Sequence, residues 1–75
     1  MSNGIYTKLQ QARAEIKRLV TSQQLPAEGI ATAFVVVEIT TRYPMSKQQV
    51  MNFLKDLTLA GLVRIEQDMV IPCSQ

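Results

Sequence analysis

Five polar side chains near the middle of the chain have the types and spacing needed to read base edges in DNA. They lie within nine consecutive residues: Lys47, Gln48, Gln49, Asn52 and Lys55. Gln and Asn side chains can pair bidentately with adenine, and Lys can reach guanine. A helix that presents such residues from its first turns and buries its opposite face is typical of a major-groove reader.

The segment 46–60 is predicted to be that helix, because both of its ends are marked. Ser46 can accept a hydrogen bond from the backbone N–H three residues on, and Gln49 can reach back to complete a capping box. Gly61 follows where a left-handed C-terminal cap is expected. Apolar residues between these ends recur at three- and four-residue spacing and form one stripe. They are Val50, Leu54 and Leu57, with Phe53 beside Leu57, and Leu62 follows just after Gly61.

The composition indicates one small folded domain, residues 1–75, without an enzyme's chemistry. Apolar residues make up 47% of the chain, and eight Lys and Arg against six Asp and Glu give a net charge of +2. This mildly basic balance permits nucleic-acid binding without demanding it. The chain has no histidine and one cysteine, which excludes a Ser-His-Asp or Cys-His catalytic arrangement and a Cys/His zinc site within one chain. We expect no catalytic residues, no cofactor and no metal.

A cytoplasmic location is predicted from the lone cysteine and from the apolar runs. Cys73 as a free thiol fits a reducing compartment, with an intermolecular disulfide as the alternative. The longest apolar run, residues 30–37, is less than half of a membrane span. The first residues lack the charged start and apolar core of a signal peptide. If the protein binds DNA, we expect it to associate with the nucleoid.

A first helix is predicted over residues 3–20. Apolar residues there alternate steps of four and three and form a seam: Ile5, Leu9, Ala12, Ile16 and Leu19. Most of this helix's Lys and Arg side chains lie off the seam. They form either the solvated back of a core helix or a phosphate-contacting face, and the seam could form half of a dimer interface.

A second helix is predicted over residues 27–42, although its sequence is ambiguous. The β-branched residues of 30–41 favour a strand. Yet Ile30, Phe34, Val37 and Thr41 fall on one helical stripe. Pro26 suits the first turn of a helix, and the break at Pro44 precedes the capping residue of the next one. This context favours helix, short turn, helix, with Gly29 as an alternative start after a short extended piece.

A β-hairpin is predicted over residues 62–72. Val63 and Ile65, then Val70 and Ile71, indicate two short strands around Gln67 and Asp68. No Asn-Gly or Asp-Gly dipeptide specifies the turn type.

This order of elements resembles a winged helix-turn-helix DNA-binding domain of the bacterial transcriptional-regulator type. The resemblance is carried by residues 35–65, under half of the chain. The matching positions are Val36 and Ile39 in the second helix, Ser46 as N-cap, Val50, Leu54 and Leu57 in the recognition helix, and Ala60-Gly61-Leu62-Val63 before the wing. The resemblance implies a mostly α, α+β fold of three helices plus a C-terminal two-stranded wing.

The resemblance also implies a small DNA-binding protein, either a transcriptional regulator or an accessory factor, with double-stranded DNA as its partner. Helix 46–60 would enter the major groove from the start that Ser46 fixes. Base reading falls on Lys47, Gln48, Gln49 and Asn52, and phosphate contacts fall on Arg42, Lys55 and Arg64.

The alternative is a winged-helix protein-interaction module that does not bind DNA directly. Glu66 and Asp68 make the hairpin tip acidic, which would repel phosphate. Several apolar residues also lie outside the predicted core stripes, and exposed apolar surface marks an interaction site. A homodimer or protein contact is predicted at Ile5, Leu9, Met51, Phe53 and Leu59.

Overall fold

The computed structural model describes residues 3–73, apart from the side chains of Asn3 and Ile5. In that range the chain forms three helices and three strands. They are α1 (Asn3–Val20), β1 (Ile30–Ala31), α2 (Thr32–Arg42), α3 (Lys47–Leu59), β2 (Val63–Glu66) and β3 (Met69–Pro72). The protein is therefore mostly helical and of the α+β class, as predicted. None of the helices in the described range is both long and apolar enough to cross a membrane.

The strands form one antiparallel sheet with β3 in the centre, in the order β1-β3-β2. Ile30 lies opposite Val70, and on the other side of β3 Ile65 also lies opposite Val70. The prediction of only two strands is wrong, because the chain just before α2 pairs with the hairpin. The predicted start of the second helix at residue 27 is wrong for the same reason, since α2 begins at Thr32.

Gly29 explains why the chain enters the sheet at this point. Its φ is +84°, a left-handed conformation that favours glycine. A Cβ atom built on Gly29 would lie 2.0 Å from the backbone carbonyl oxygen of Val70. The backbone of residue 29 therefore passes directly over β3, and only a residue without a side chain allows Ile30 to reach its partner.

The three helices pack their apolar faces into one core. In α2 the buried side chains are Val35 and Ile39, so the β-branched run forms a helix as its context indicated. The fully or nearly fully buried apolar residues come from every helix and from both hairpin strands. They are Ala12, Ile16, Val20, Val35, Ile39, Met45, Val50, Leu54, Leu57, Val63 and Val70.

Both predicted ends of α3 are confirmed. The Ser46 hydroxyl accepts from the Gln49 backbone N–H, and the Gln49 side chain accepts from the Ser46 N–H, which completes the capping box. At the other end, Gly61 has a φ of +80°. Its N–H donates to the Thr58 carbonyl while the Leu62 N–H donates to the Leu57 carbonyl. These two bonds form a Schellman motif, which satisfies carbonyls that the helix leaves open.

Gln67 and Asp68 form the two-residue turn between β2 and β3. Both have positive φ, 51° and 65°, as in a type I′ hairpin turn. The Asp68 carbonyl accepts hydrogen bonds from the backbone N–H and the hydroxyl of Thr32. The hairpin turn is thereby attached to the first residue of α2.

Glu15 connects α1 to the C-terminal end of α2. Its carboxylate accepts from the Arg18 guanidinium and, at 3.0 Å, from Nη2 of Arg42. The hydrogen bond from Arg18, followed by that from Arg42, holds the pKa of Glu15 below its usual 4.5. The same contact with Glu15 raises the pKa of Arg42. Arg42 is therefore part of the scaffold that fixes the second helix against the first.

Candidate nucleic-acid interface

Seven residues of α3 are exposed, and four of them form a stripe along its solvent-facing side: Gln48, Asn52, Lys55 and Leu59. Their spacing of four, three and four residues places them along one side of a helix. Val50, Leu54 and Leu57 lie buried on the other side. The capping box fixes where the helix begins, and the core fixes which side faces outward. The position of the stripe is therefore determined by the residues that start and end α3 and by its buried apolar face.

Gln48 and Asn52 act together within this stripe. The Gln48 side-chain N–H donates to the Asn52 side-chain oxygen at 3.0 Å. The bond leaves the Gln48 oxygen as an acceptor and the Asn52 amide as a donor, one turn apart. Adenine presents one donor and one acceptor in the major groove, so the pair has the complementary chemistry for that base.

The other two predicted base readers lie at the margins of α3. The Gln49 side-chain oxygen is engaged by the Ser46 N–H at 2.9 Å, so Gln49 could pair bidentately with a base only by opening the capping box. Gln49 faces α1, beside Arg13 and Met45. Lys47 is exposed on the α2 side of the helix, beside Val36.

Two of the three predicted phosphate contacts, Arg42 and Arg64, have acidic partners, whereas the third, Lys55, and the predicted base reader Lys47 have none within residues 3–73. Arg42 is held by Glu15 and approaches Glu38 at 3.8 Å, and Arg64 donates to Glu66 at 2.9 Å. Each of these guanidiniums has an acidic partner that would compete with a phosphate group. Lys47 and Lys55 form no ion pair with any residue in the range 3–73. Within α3 itself the unpaired positive charge is thus carried by Lys47 and Lys55. Arg13 of α1 also lies beside Asn52, in a hollow that it shares with the acidic Asp56.

The predicted interface residues do not form one surface. Leu9 is half-buried and packs against the core, and the Ile5 side chain lies outside the described residues. Met51 lines a groove beside α2. Phe53 lies on the other side of α3, which faces α1, with its ring centroid 6.0 Å from Cζ of the Arg13 guanidinium. Leu59 is 78% exposed at the far end of the helix.

An exposed apolar surface lies instead on α2. Phe34 and Val37 are 51% and 62% exposed, although their spacing with Ile30 and Thr41 suggested a single apolar stripe. The buried stripe of α2 is formed by Val35 and Ile39. Sequence reasoning did not define this surface, because apolar residues surround most of the helix and periodicity does not identify the buried side. The signal present in the sequence was the absence of charge from residues 30–37.

Beside this surface, α2 and α3 enclose a groove of about 480 Å³. Apolar side chains line most of it, with Lys47 and Asp68 as the charged members. The lining residues are Thr32, Ala33, Val36, Val37, Lys47, Met51 and Asp68.

Among residues 3–73, no three His, Cys, Asp or Glu side chains lie together in an arrangement that could hold a metal ion. Comparison of the chain with family models, with curated proteins and with solved structures finds no match in any of the three.

Proposed function

We propose that this protein is a small winged-helix DNA-binding protein that inserts α3 into the major groove. A helix pair joined by a short turn, followed directly by a β-hairpin, supports this proposal. In this arrangement α3 is the recognition helix, and the β2–β3 hairpin is the wing. We expect the protein to act as a transcriptional regulator or as an accessory DNA-binding factor.

The observation that carries the proposal is the solvent-facing stripe of α3. Gln48 and Asn52 offer an acceptor and a donor to a base edge, and Lys55 lies one turn further along the same side. No acidic residue occurs between Lys47 and Phe53. The N-terminal end of the helix adds the positive end of its dipole, which favours a nearby phosphate.

The charge distribution predicts weak binding that depends modestly on salt. Because Arg42 and Arg64 have acidic partners, about two lysines remain to neutralise phosphates. Each neutralised phosphate contributes about −0.9 to the slope of log affinity against log salt, so a slope of about −2 is expected. Gln48 and Asn52 then supply the preference among sequences.

Fluorescence anisotropy of a labelled DNA duplex tests this proposal. Lys55→Ala should reduce the salt slope by about one unit, and Gln48→Ala should weaken binding to A·T-containing duplexes with little change in slope. Lys17→Ala on α1 is the matched control, since it removes the same charge from an exposed position away from the stripe. The proposal is rejected if wild-type protein leaves the anisotropy unchanged at low salt, or if Lys17→Ala and Lys55→Ala have equal effects.

A protein-interaction module is the second candidate, and the exposed apolar side of α2 favours it. Backbone chemical shifts during a titration with duplex DNA distinguish the two. Shifts concentrated on Gln48, Asn52 and Lys55 support DNA binding. An unchanged spectrum at low salt leaves the interaction module as the remaining proposal.

A further inference from the structure

The exposed side of α2 forms an uncharged patch, which we call the α2 patch. It consists of Ala33, Phe34, Val37, Thr40 and Thr41, all exposed. The two charged residues of α2 lie elsewhere on the helix, because Arg42 bonds Glu15 of α1 and Glu38 approaches Arg42. Apolar surface of this kind, centred on Phe34 and Val37, marks a contact with another macromolecule.

The groove between α2 and α3 continues the α2 patch through Ala33 and Val37, which belong to both. Lys47 and Asp68 lie on this groove, one positive and one negative. Neither forms an ion pair within residues 3–73, either with the other or with a third residue. An apolar surface that carries one free charge of each sign is complementary in charge to a copy of itself.

We propose that the α2 patch and its groove are covered by a second copy of this chain in a two-fold symmetric dimer. A two-fold axis through Val37 would place the α2 patches against each other. In this dimer we place Lys47 of each copy against Asp68 of the partner subunit, because both residues line the groove beside the patch. Such isologous contacts are the commonest way in which soluble proteins form dimers, and they require a self-complementary surface.

A stable dimer requires more surface than α2 alone provides. A standard interface buries about 800 Å² of each partner, and the chain exposes 5190 Å² in total. An 11-residue helix is only about 16 Å long, so α2 alone is too small. The groove and the hairpin turn must take part, which brings Lys47 and Asp68 into the interface. The small core of this chain would also gain stability from a partner.

Sedimentation velocity of the full chain over a range of concentrations, without DNA, tests the dimer. Val37→Asp places a charge in the centre of the patch and should raise the dimer dissociation constant by at least about a hundredfold, given the cost of desolvating an uncompensated charge. Leu59→Asp is the matched control, because Leu59 is equally apolar, more exposed and outside the patch. A wild-type chain that remains monomeric at every concentration overturns the proposal, as does equal disruption by both variants.

Charge reversal tests the proposed pairing directly. Lys47→Glu and Asp68→Lys each create two like-charge contacts in a homodimer, so each should weaken self-association by about tenfold or more. Mixing these two variants restores two opposite-charge contacts, so the mixture should associate about as tightly as the wild type. Lys55→Glu and Glu28→Lys make the same charge changes at exposed positions outside the groove and should have little effect.

The mixing experiment has two clear outcomes. Association of the mixture, with each variant monomeric alone, supports a two-fold contact between Lys47 and Asp68. Failure to associate on mixing, while circular dichroism shows both variants folded, overturns the proposal and leaves a different protein as the occupant. Self-association is measured without DNA, so its failure is distinguishable from failure of the proposed DNA binding. In the dimer Asp68 of the partner subunit would engage Lys47, and Lys55 of each copy would then supply the free positive charge of α3.

Discussion

Gly29 and Gly61 form a natural pair for testing how β1 is joined to the sheet. Both have nearly the same positive φ, 84° and 80°. An added Cβ at Gly61 would meet no heavy atom within 4 Å, whereas at Gly29 it would meet the Val70 carbonyl oxygen at 2.0 Å. Alanine at the two positions therefore imposes the same backbone strain, and only residue 29 adds a collision.

The expected costs follow from this difference. A left-handed conformation costs a non-glycine residue about 1–2 kcal/mol, so Gly61→Ala should lower the free energy of unfolding by about that amount. Gly29→Ala incurs the same strain and must also move β3 or β1. Such a shift breaks the hydrogen bonds between β1 and β3 and leaves buried polar groups unsatisfied, at about 1–3 kcal/mol each. We expect a total of about 4 kcal/mol or more for Gly29→Ala.

Urea unfolding followed by circular dichroism measures both costs. A domain of 75 residues is expected to have a total stability of about 4–11 kcal/mol. Gly29→Ala should therefore shift the unfolding transition to far lower urea, and abolish it if the wild-type stability lies near the lower end of this range, whereas Gly61→Ala should cause a smaller shift. Equal costs for the two variants would refute the close approach of Gly29 to β3.

Three further predictions concern α1, α3 and the hairpin turn. Because the pKa of Glu15 is lowered, chiefly by Arg18, its stabilising effect should be present above the usual 4.5 and be lost as the pH falls through the lowered value. Urea unfolding of Glu15→Gln at stepped pH should therefore show a deficit near neutral pH that disappears in acid, and a constant deficit would contradict this reasoning. Ser46→Ala should cost about 1 kcal/mol of unfolding free energy by removing the N-cap of α3, measured in the same way, and no loss would argue against the capping box. Gln67→Asn should raise the free energy of unfolding by a few tenths to about 1 kcal/mol, because Asn tolerates the positive φ of a type I′ turn better than Gln. The melting temperature should rise slightly as a result, and a lower melting temperature would contradict this reasoning.

The parts of the fold that were predictable are those determined by local chemistry. The start of α3 depends on Ser46 and Gln49, three residues apart, and its end depends on Gly61. Such signals require only that side chains bond the nearest backbone groups, so they can be identified in a sequence without knowledge of the tertiary structure. The ambiguous second helix was also placed correctly at its C-terminal end, where Pro44 requires a break.

The third strand could not be predicted, because its cause is a contact across the chain. Ile30 and Ala31 pair with Val70 and Met69, about 40 residues further along. A two-residue strand has no periodicity of its own, and residues 30–37 are apolar throughout except for Thr32. Gly29 was a signal for an extended start, but the requirement for glycine there becomes evident only when β3 lies beneath it. The buried side of α2 was ambiguous for a related reason, since apolar residues occur on nearly every side of that helix.

The number of basic side chains that remain free to contact phosphate cannot be obtained by counting charges in the sequence. The family resemblance implied phosphate contacts from Arg42, Lys55 and Arg64. Arg64 and Glu66 are two residues apart on one strand, so both side chains lie on the same face of β2, and their pairing follows from strand geometry alone. Arg42 is different, because its partner Glu15 lies 27 residues earlier and becomes adjacent only when α1 packs against α2. The tertiary fold therefore makes the Arg42 guanidinium unavailable to phosphate. The two lysines of α3 remain exposed and unpaired within residues 3–73, Lys55 in the stripe and Lys47 next to it. A salt slope of about −2, and not about −4, would measure that difference directly.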